Sequence, residues 1–110
     1  MAIEPFVKEL VDSTEYQSLF KPPKTYGFHS GRVYLKPGSD CGQHTTGINE
    51  EMLIFLSGNG QAIIGDKTFP VSKGKITYIP PQTTHNIKNT SDEPLIYVFC
   101  VAPAADGGGK

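Results

Sequence analysis

The pattern of apolar positions changes near residue 25. Downstream of it, short runs rich in β-branched and aromatic residues alternate with segments rich in Gly, Pro, Asn, Asp and Ser. Several short strands separated by turns at such intervals are typical of an all-β sandwich or barrel. Because a single sheet would leave one apolar face in water, two sheets must pack or one must close. The predicted strands are Phe28–Lys36, Glu51–Leu56, Gln61–Gly65, Ile76–Ile79, His85–Lys88 and Leu95–Val101.

The N-terminal stretch follows a different pattern. Apolar positions between Glu4 and Val11 share one face of one or two helical turns. Thr14 and Gln17 have the spacing of a weak capping box, which predicts a short helix that runs to Phe20 and ends before the prolines that follow. We expect this segment to pack on the barrel or to pair with a neighbouring molecule.

The chain of 110 residues is about one domain in length. We divide it into an N-terminal segment over 1–24, a barrel over 25–103 and a flexible tail over 104–110. With 12 glycines and 9 prolines, turns are frequent and long helices are disfavoured.

Charge and cysteine content narrow the classes of partner. Ten basic and eleven acidic residues give a net charge of −1, which offers no electrostatic footprint for nucleic acid or an anionic membrane. The sequence shows neither a membrane-spanning apolar stretch nor the pattern of a secretory signal. Cys41 and Cys100 form no C-x-x-C pair. We therefore expect a cytoplasmic, reduced protein that binds neither nucleic acid nor membranes, with a disulfide between the two cysteines left open.

The histidines and the carboxylate best suited to chemistry belong to two groups of residues with defined spacing. The first, with intervals of five, one, four and six residues, comprises Gly38, His44, Thr46, Glu51 and Gly58. The second, with intervals of five, one, two and three residues, comprises Gly74, Pro80, Gln82, His85 and Asn89. Two imidazoles and one carboxylate suit divalent Fe, Mn, Ni, Zn or Cu. Motifs of hydrolases, zincins, NTPases and dinucleotide-binding proteins do not occur in the sequence.

These groups resemble the paired signature of the cupin superfamily. Its first motif is Gly, five residues, His-x-His, three or four residues, Glu, six residues, Gly. Its second is Gly, five residues, Pro-x-Gly, two residues, His, three residues, Asn. The chain matches four of the five named positions in each motif. The resemblance implies a single-domain antiparallel β-barrel, a double-stranded β-helix of jelly-roll type. Together with edge strands that need covering, it also implies a homodimer.

The resemblance further implies that His44, Glu51 and His85 hold a divalent metal ion. The fourth ligand position of the family, a histidine, is occupied by Thr46, whose hydroxyl is a poor ligand for these metals. Gln82 replaces a glycine of the second motif, without removing a ligand. Glu50 is adjacent to Glu51 and points to the opposite face of a strand, so only one of the two enters the pocket.

Three outcomes follow from Thr46: a three-ligand site, recruitment of another group, or a barrel that binds an organic ligand without metal. His29 is the candidate extra ligand, because it shares strand parity with Val33 and Leu35. Cys41, three residues before the first motif histidine, is a second candidate, although a spectator thiol is the simpler interpretation.

The expected function is therefore binding of a divalent metal and a small-molecule ligand inside the barrel. Small cupins are similar to dioxygenases, isomerases and decarboxylases, so the fold alone selects neither reaction nor substrate. The alternative is a non-catalytic cupin that binds or senses a sugar or another metabolite without metal. Whether the protein is an enzyme is left open by the sequence.

Overall fold

The computed structural model describes residues 3–105, in which it shows nine strands and no helix. They form two antiparallel sheets that enclose one core, with the orders β1-β2-β9-β4-β7 and β3-β8-β5-β6. The expected all-β barrel is thereby confirmed. In chain order the strands are β1 Gln17–Phe20, β2 His29–Leu35, β3 His44–Thr45, β4 Asn49–Ser57, β5 Asn59–Ile64, β6 Lys67–Ser72, β7 Ile76–Ile79, β8 Thr84–Lys88 and β9 Leu95–Pro103.

Alternation along the strands decides which side chains enter the barrel. In β4, Leu53 and Phe55 are almost fully buried, whereas Met52, the residue before Leu53, faces outward and is exposed. Antiparallel pairing with β9 places Phe99 beside Leu53 and Tyr97 beside Phe55. One contiguous apolar core results, made of Leu35, Leu53, Phe55, Ala62, Val71, Ile79, Ile87, Leu95 and Tyr97.

The helices predicted for the N-terminal segment are wrong. Residues 3–16 contain no helix, and Gln17–Phe20 forms strand β1 at the edge of the five-stranded sheet. Pairing with β2 buries Leu19, which a short isolated helix would leave in water. Gln17–Phe20 thereby extends the five-stranded sheet by one strand.

The six predicted strands are present, with ends that differ by up to two residues. Two further strands were not predicted in the barrel region. β3 contains only two residues, and β6 contains Pro70, which is tolerated because β6 is the edge strand of its sheet. The predicted flexible tail lies mostly outside the described residues.

Two features fix the end of the barrel remote from the motif histidines. Gly58 has a φ of 91°, and an added Cβ would collide with the carbonyl of Pro94. The buried amide of Asn89 donates hydrogen bonds to the carbonyls of Leu35 at 2.9 Å and Glu93 at 2.7 Å. Motif residues Gly58 and Asn89 are therefore structural. Within residues 3–105, no helix is long and apolar enough to cross a membrane.

Candidate metal centre

Three strands bring the expected ligands together. His44 on β3 pairs directly with His85 on β8, and Glu51 on β4 reaches them from the facing sheet. One ligand atom from each of the three lies within 4.8 Å of the others. His85 is buried, Glu51 is half-buried and His44 is exposed, so the cluster runs from the barrel interior to its mouth. These are the three residues that the motif spacing predicts.

Backbone carbonyls orient both imidazoles. His44 Nδ1 lies 2.7 Å from the carbonyl oxygen of Gly42, and His85 Nδ1 lies 3.1 Å from that of Thr83. Because a carbonyl oxygen can only accept, each Nδ1 must carry the hydrogen and donate it. Each neutral ring then presents the lone pair of Nε2, as metal-binding histidines do when a carbonyl holds the other nitrogen. Both histidines are thus held in a metal-binding tautomer.

Nε2 of His85 is an orphaned atom. It is buried without a hydrogen-bond partner among residues 3–105, although it lies 3.3 Å from Oε1 of Glu51. The separation is short enough for a hydrogen bond, but the two groups are not aligned for one, so the pair is an electrostatic contact only. A lone pair facing a carboxylate requires a proton or a cation between them. The donor set and its geometry therefore fit a divalent metal ion.

The same contact shifts the proton affinity of His85. Burial disfavours the charged ring, but the Glu51 carboxylate and the Thr83 carbonyl together outweigh it and raise the pKa of His85 above its ordinary value. A proton would therefore compete with a metal ion for His85.

Thr46 is engaged elsewhere and is not free to act as a ligand. It is 6% exposed, and its hydroxyl donates to the carbonyl of Pro80 at 2.7 Å and accepts from the amide of Thr83 at 3.0 Å. The Thr46 side chain therefore fixes the turn that carries Thr83, whose carbonyl orients His85. Of the outcomes left open by the sequence, this geometry favours the three-ligand site.

Gln82, the second departure from the family motif, lies in the same turn. Its φ is 56°, in the left-handed region where glycine is favoured, which explains the glycine of the motif. Its backbone amide donates to the carbonyl of Gly47 at 2.8 Å. The loop therefore keeps the shape that glycine would give it.

The proposed extra ligands lie in the same cavity but outside the cluster. His29 faces inward, as its strand parity predicts, and its ring packs edge-on against Phe99 at 6.1 Å. Cys41 is half-buried, and its sulfur accepts a hydrogen bond from the amide of Ile87 at 3.3 Å. Burial raises the pKa of the Cys41 thiol, which disfavours the thiolate that a metal needs. Both cysteines are free, so no disulfide links Cys41 to Cys100.

The cluster opens into a cavity of about 310 Å³. Tyr97, Phe99 and Val101 form one wall of the cavity. The signal that identifies them is alternation along β9, since all three share the parity of buried Leu95. Of the adjacent carboxylates, Glu51 faces the cavity as expected, whereas Glu50 accepts a hydrogen bond from Tyr78 outside the cluster.

The N-terminal segment contacts one residue of the cavity wall, Phe99. Tyr16 stacks on Phe99, with ring centroids 6.3 Å apart and an angle of 12° between the planes. Gly31 makes this possible, because a Cβ at that position would occupy the space of the Tyr16 ring. Nothing in the sequence signals this contact, since the two residues meet only when β1 pairs with β2.

The sequence is similar to parts of known proteins. An uncharacterised protein of Methanocaldococcus jannaschii is 36% identical over 66 residues, which are 60% of this chain and 53% of that protein. The mannose-1-phosphate guanylyltransferase RfbM of Salmonella typhimurium is 33% identical over 88 residues, which are 74% of this chain and 18% of that protein. The chain thus spans about half the length of the first relative and about a fifth of the second.

Solved structures show the same architecture. A cupin protein from Bacteroides fragilis superposes with a TM-score of 0.80 over 94% of this chain and 88% of that one, at 22% identity. At that identity the likeness concerns the fold. The family model for the cupin domain matches residues 31–101, which include both motifs and all three residues of the cluster. By this match, with the two motifs and the barrel in agreement, the chain belongs to the cupin domain family.

Proposed function

We propose that this protein is a metal-dependent enzyme that acts on a small molecule held in the barrel cavity. The observation that supports this most is the cluster of three candidate ligands. The family's fourth ligand position is occupied by Thr46, whose hydroxyl is hydrogen-bonded to the Pro80 carbonyl and is not available to a metal. Structural metal sites use four protein ligands, whereas catalytic sites keep a position open for water or substrate. His44, Glu51 and His85 would hold the ion with an open side towards the cavity.

A divalent ion held there would supply Lewis-acid polarisation of a substrate oxygen or a site for dioxygen. The protein's own residues set the surroundings. Val33, Leu53 and Ile87 line the cavity with apolar surface, which excludes water from around a bound ligand. Reactions of the dioxygenase, isomerase or decarboxylase kind are compatible with this arrangement.

Elemental analysis of protein purified without chelator or affinity metal tests the proposal. The adjacent carboxylates supply a matched pair of variants, since Glu51→Gln removes a ligand while Glu50→Gln alters a carboxylate outside the cluster. We expect about one metal ion per chain in the wild type and in Glu50→Gln, and a large loss in Glu51→Gln and in the double variant His44→Ala/His85→Ala.

The outcome decides which class of function remains. Retention of metal by Glu51→Gln, or absence of metal from the wild type after incubation with Fe, Mn, Ni, Zn and Cu in turn, would contradict the proposal. The protein would then be treated as a metal-free binding cupin. If metal is bound, screens for oxygen consumption, decarboxylation and isomerisation would identify the reaction.

A second candidate is binding of a sugar phosphate in the same cavity. It is supported by the 33% identity to the mannose-1-phosphate guanylyltransferase RfbM over 88 residues. His29, Thr45 and Asn49 line the cavity with polar groups that could bind sugar hydroxyls. Titration calorimetry with mannose 1-phosphate, in the presence and absence of metal, tests this candidate. Binding that is equal without metal would favour a sensing role, and no binding would exclude this ligand.

A further inference from the structure

His29 lies on the inner face of the five-stranded sheet, two strands away from Glu51 of the proposed metal cluster. It pairs across strands with Val101, which in turn pairs with Glu51, so the three residues form one row across β2, β9 and β4. Neighbouring strands are about 4.8 Å apart, which places the backbones of His29 and Glu51 roughly 10 Å from each other. A small molecule can lie between them, over the side chain of Val101.

The ring of His29 differs from the other two imidazoles in the cavity. Those of His44 and His85 are each held by a backbone carbonyl, whereas His29 makes no side-chain hydrogen bond with any residue from 3 to 105. Its ring is supported by Phe99, edge-on at 79°, and is exposed at the cavity mouth. His29 is thus positioned but has no polar partner in the part of the chain that is described.

The charges of the cavity favour an anionic ligand. Among residues 3–105, Glu51 is the one carboxylate that lines the cavity, so a bound divalent ion would leave the site with a net positive charge. Burial raises the pKa values of Cys41 and Tyr97, so both remain protonated and neutral near pH 7. Neither therefore competes with an anion for the metal.

We propose that His29 is a positioning residue that binds the anionic end of a small bifunctional ligand whose other end binds the metal. The inference deepens the proposed function and rests on it. An imidazole can donate a hydrogen bond in either charge state, and it is matched equally by a carboxylate or a phosphate. The ligand class is therefore a small molecule with a metal-binding oxygen at one end and a carboxylate or phosphate at the other.

Cobalt-loaded protein provides the test, because visible absorption of bound Co²⁺ reports on ligands that reach the metal. Acetate is the monofunctional probe, and succinate and 3-phosphonopropionate are the bifunctional probes. We expect the wild type to bind at least one bifunctional probe tighter than acetate. His29→Leu should weaken that probe about tenfold or more, because a hydrogen bond to a charged group is lost. His29→Gln, which keeps a donor, should recover part of the loss.

Controls separate this inference from the proposed function. Ser30→Ala alters the next residue, which has the opposite strand parity, and should behave as wild type. Affinities for Co²⁺ and acetate should stay within about twofold in both His29 variants, whereas a metal ligand would lose Co²⁺ affinity. Equal weakening of acetate and the bifunctional probes, or no weakening of either, would overturn the role of His29 alone. Failure of the wild type to bind Co²⁺ would overturn the proposed function as well. The preferred probe distinguishes a carboxylate from a phosphate ligand.

Discussion

Replacement of Thr46 by valine separates a structural hydroxyl from a ligand. The variant keeps the branched shape but removes the donor to the Pro80 carbonyl and the acceptor of the Thr83 amide. A buried hydrogen bond contributes about 1 kcal/mol net, so the loss of two should lower the free energy of unfolding by about 2 kcal/mol. For a domain of this size, this corresponds to a fall in melting temperature of roughly 8 °C.

The measurement is thermal and urea unfolding of the metal-free protein in the presence of a chelator. Thr46→Ser keeps the hydroxyl and is the matched control, which should remain within about 1 kcal/mol of the wild type. The reasoning predicts a loss of stability without any metal present. If Thr46→Val were as stable as the wild type without metal and lost stability only in the metal-loaded form, the hydroxyl would be acting as a ligand and our interpretation would be wrong.

Three further predictions concern the same turn, the cluster and the remote end of the barrel. Zinc affinity should fall about tenfold per pH unit below the raised pKa of His85, because a proton competes for the ring; a flat profile between pH 5.5 and 8 would contradict this. Gln82→Gly should raise the free energy of unfolding by about 0.5–1 kcal/mol by relieving a left-handed conformation, and destabilisation in urea unfolding would refute it. Gly58→Ala should cost about 3 kcal/mol or more through collision with Pro94, whereas Gly38→Ala, with open space around it, should cost about 1 kcal/mol; equal losses would show that the collision relaxes.

The barrel was predictable from sequence because local alternation and turn residues agree along most of the chain. The exceptions have physical reasons. Residues 17–20 carry no strong strand pattern, and they form β1 only because β2 offers an edge that buries Leu19. Pro70 interrupts the pattern of β6, yet an edge strand tolerates it. Homodimer formation and a cytoplasmic location stay predictions.

The clustering of His44, Glu51 and His85 was predictable from the resemblance to the cupin motifs, whereas the contacts of Thr46 were not. Its hydroxyl partners are 34 and 37 residues further along the chain, so only the pairing of β3 with β8 brings them together. Likewise, parity places His29 inside the barrel but does not say whether it reaches the metal. Alternation in the sequence predicts the face of a strand on which a side chain lies, but it does not predict the distance between two side chains on different strands.

The two departures from the cupin motif, Thr46 and Gln82, meet at one turn, and this bears on how the proposed metal site would keep its geometry with three ligands. Thr46 fixes the turn through the Pro80 carbonyl and the Thr83 amide. Gln82, one residue before Thr83, takes the left-handed conformation of the missing glycine and donates to Gly47 from the same strand end. Thr46, at a position where the family motif has a ligand histidine, thus supports the turn on which the orientation of His85 depends. A threonine at this position is therefore compatible with an ordered cluster of His44, Glu51 and His85, because its hydroxyl holds in place the turn whose Thr83 carbonyl orients His85.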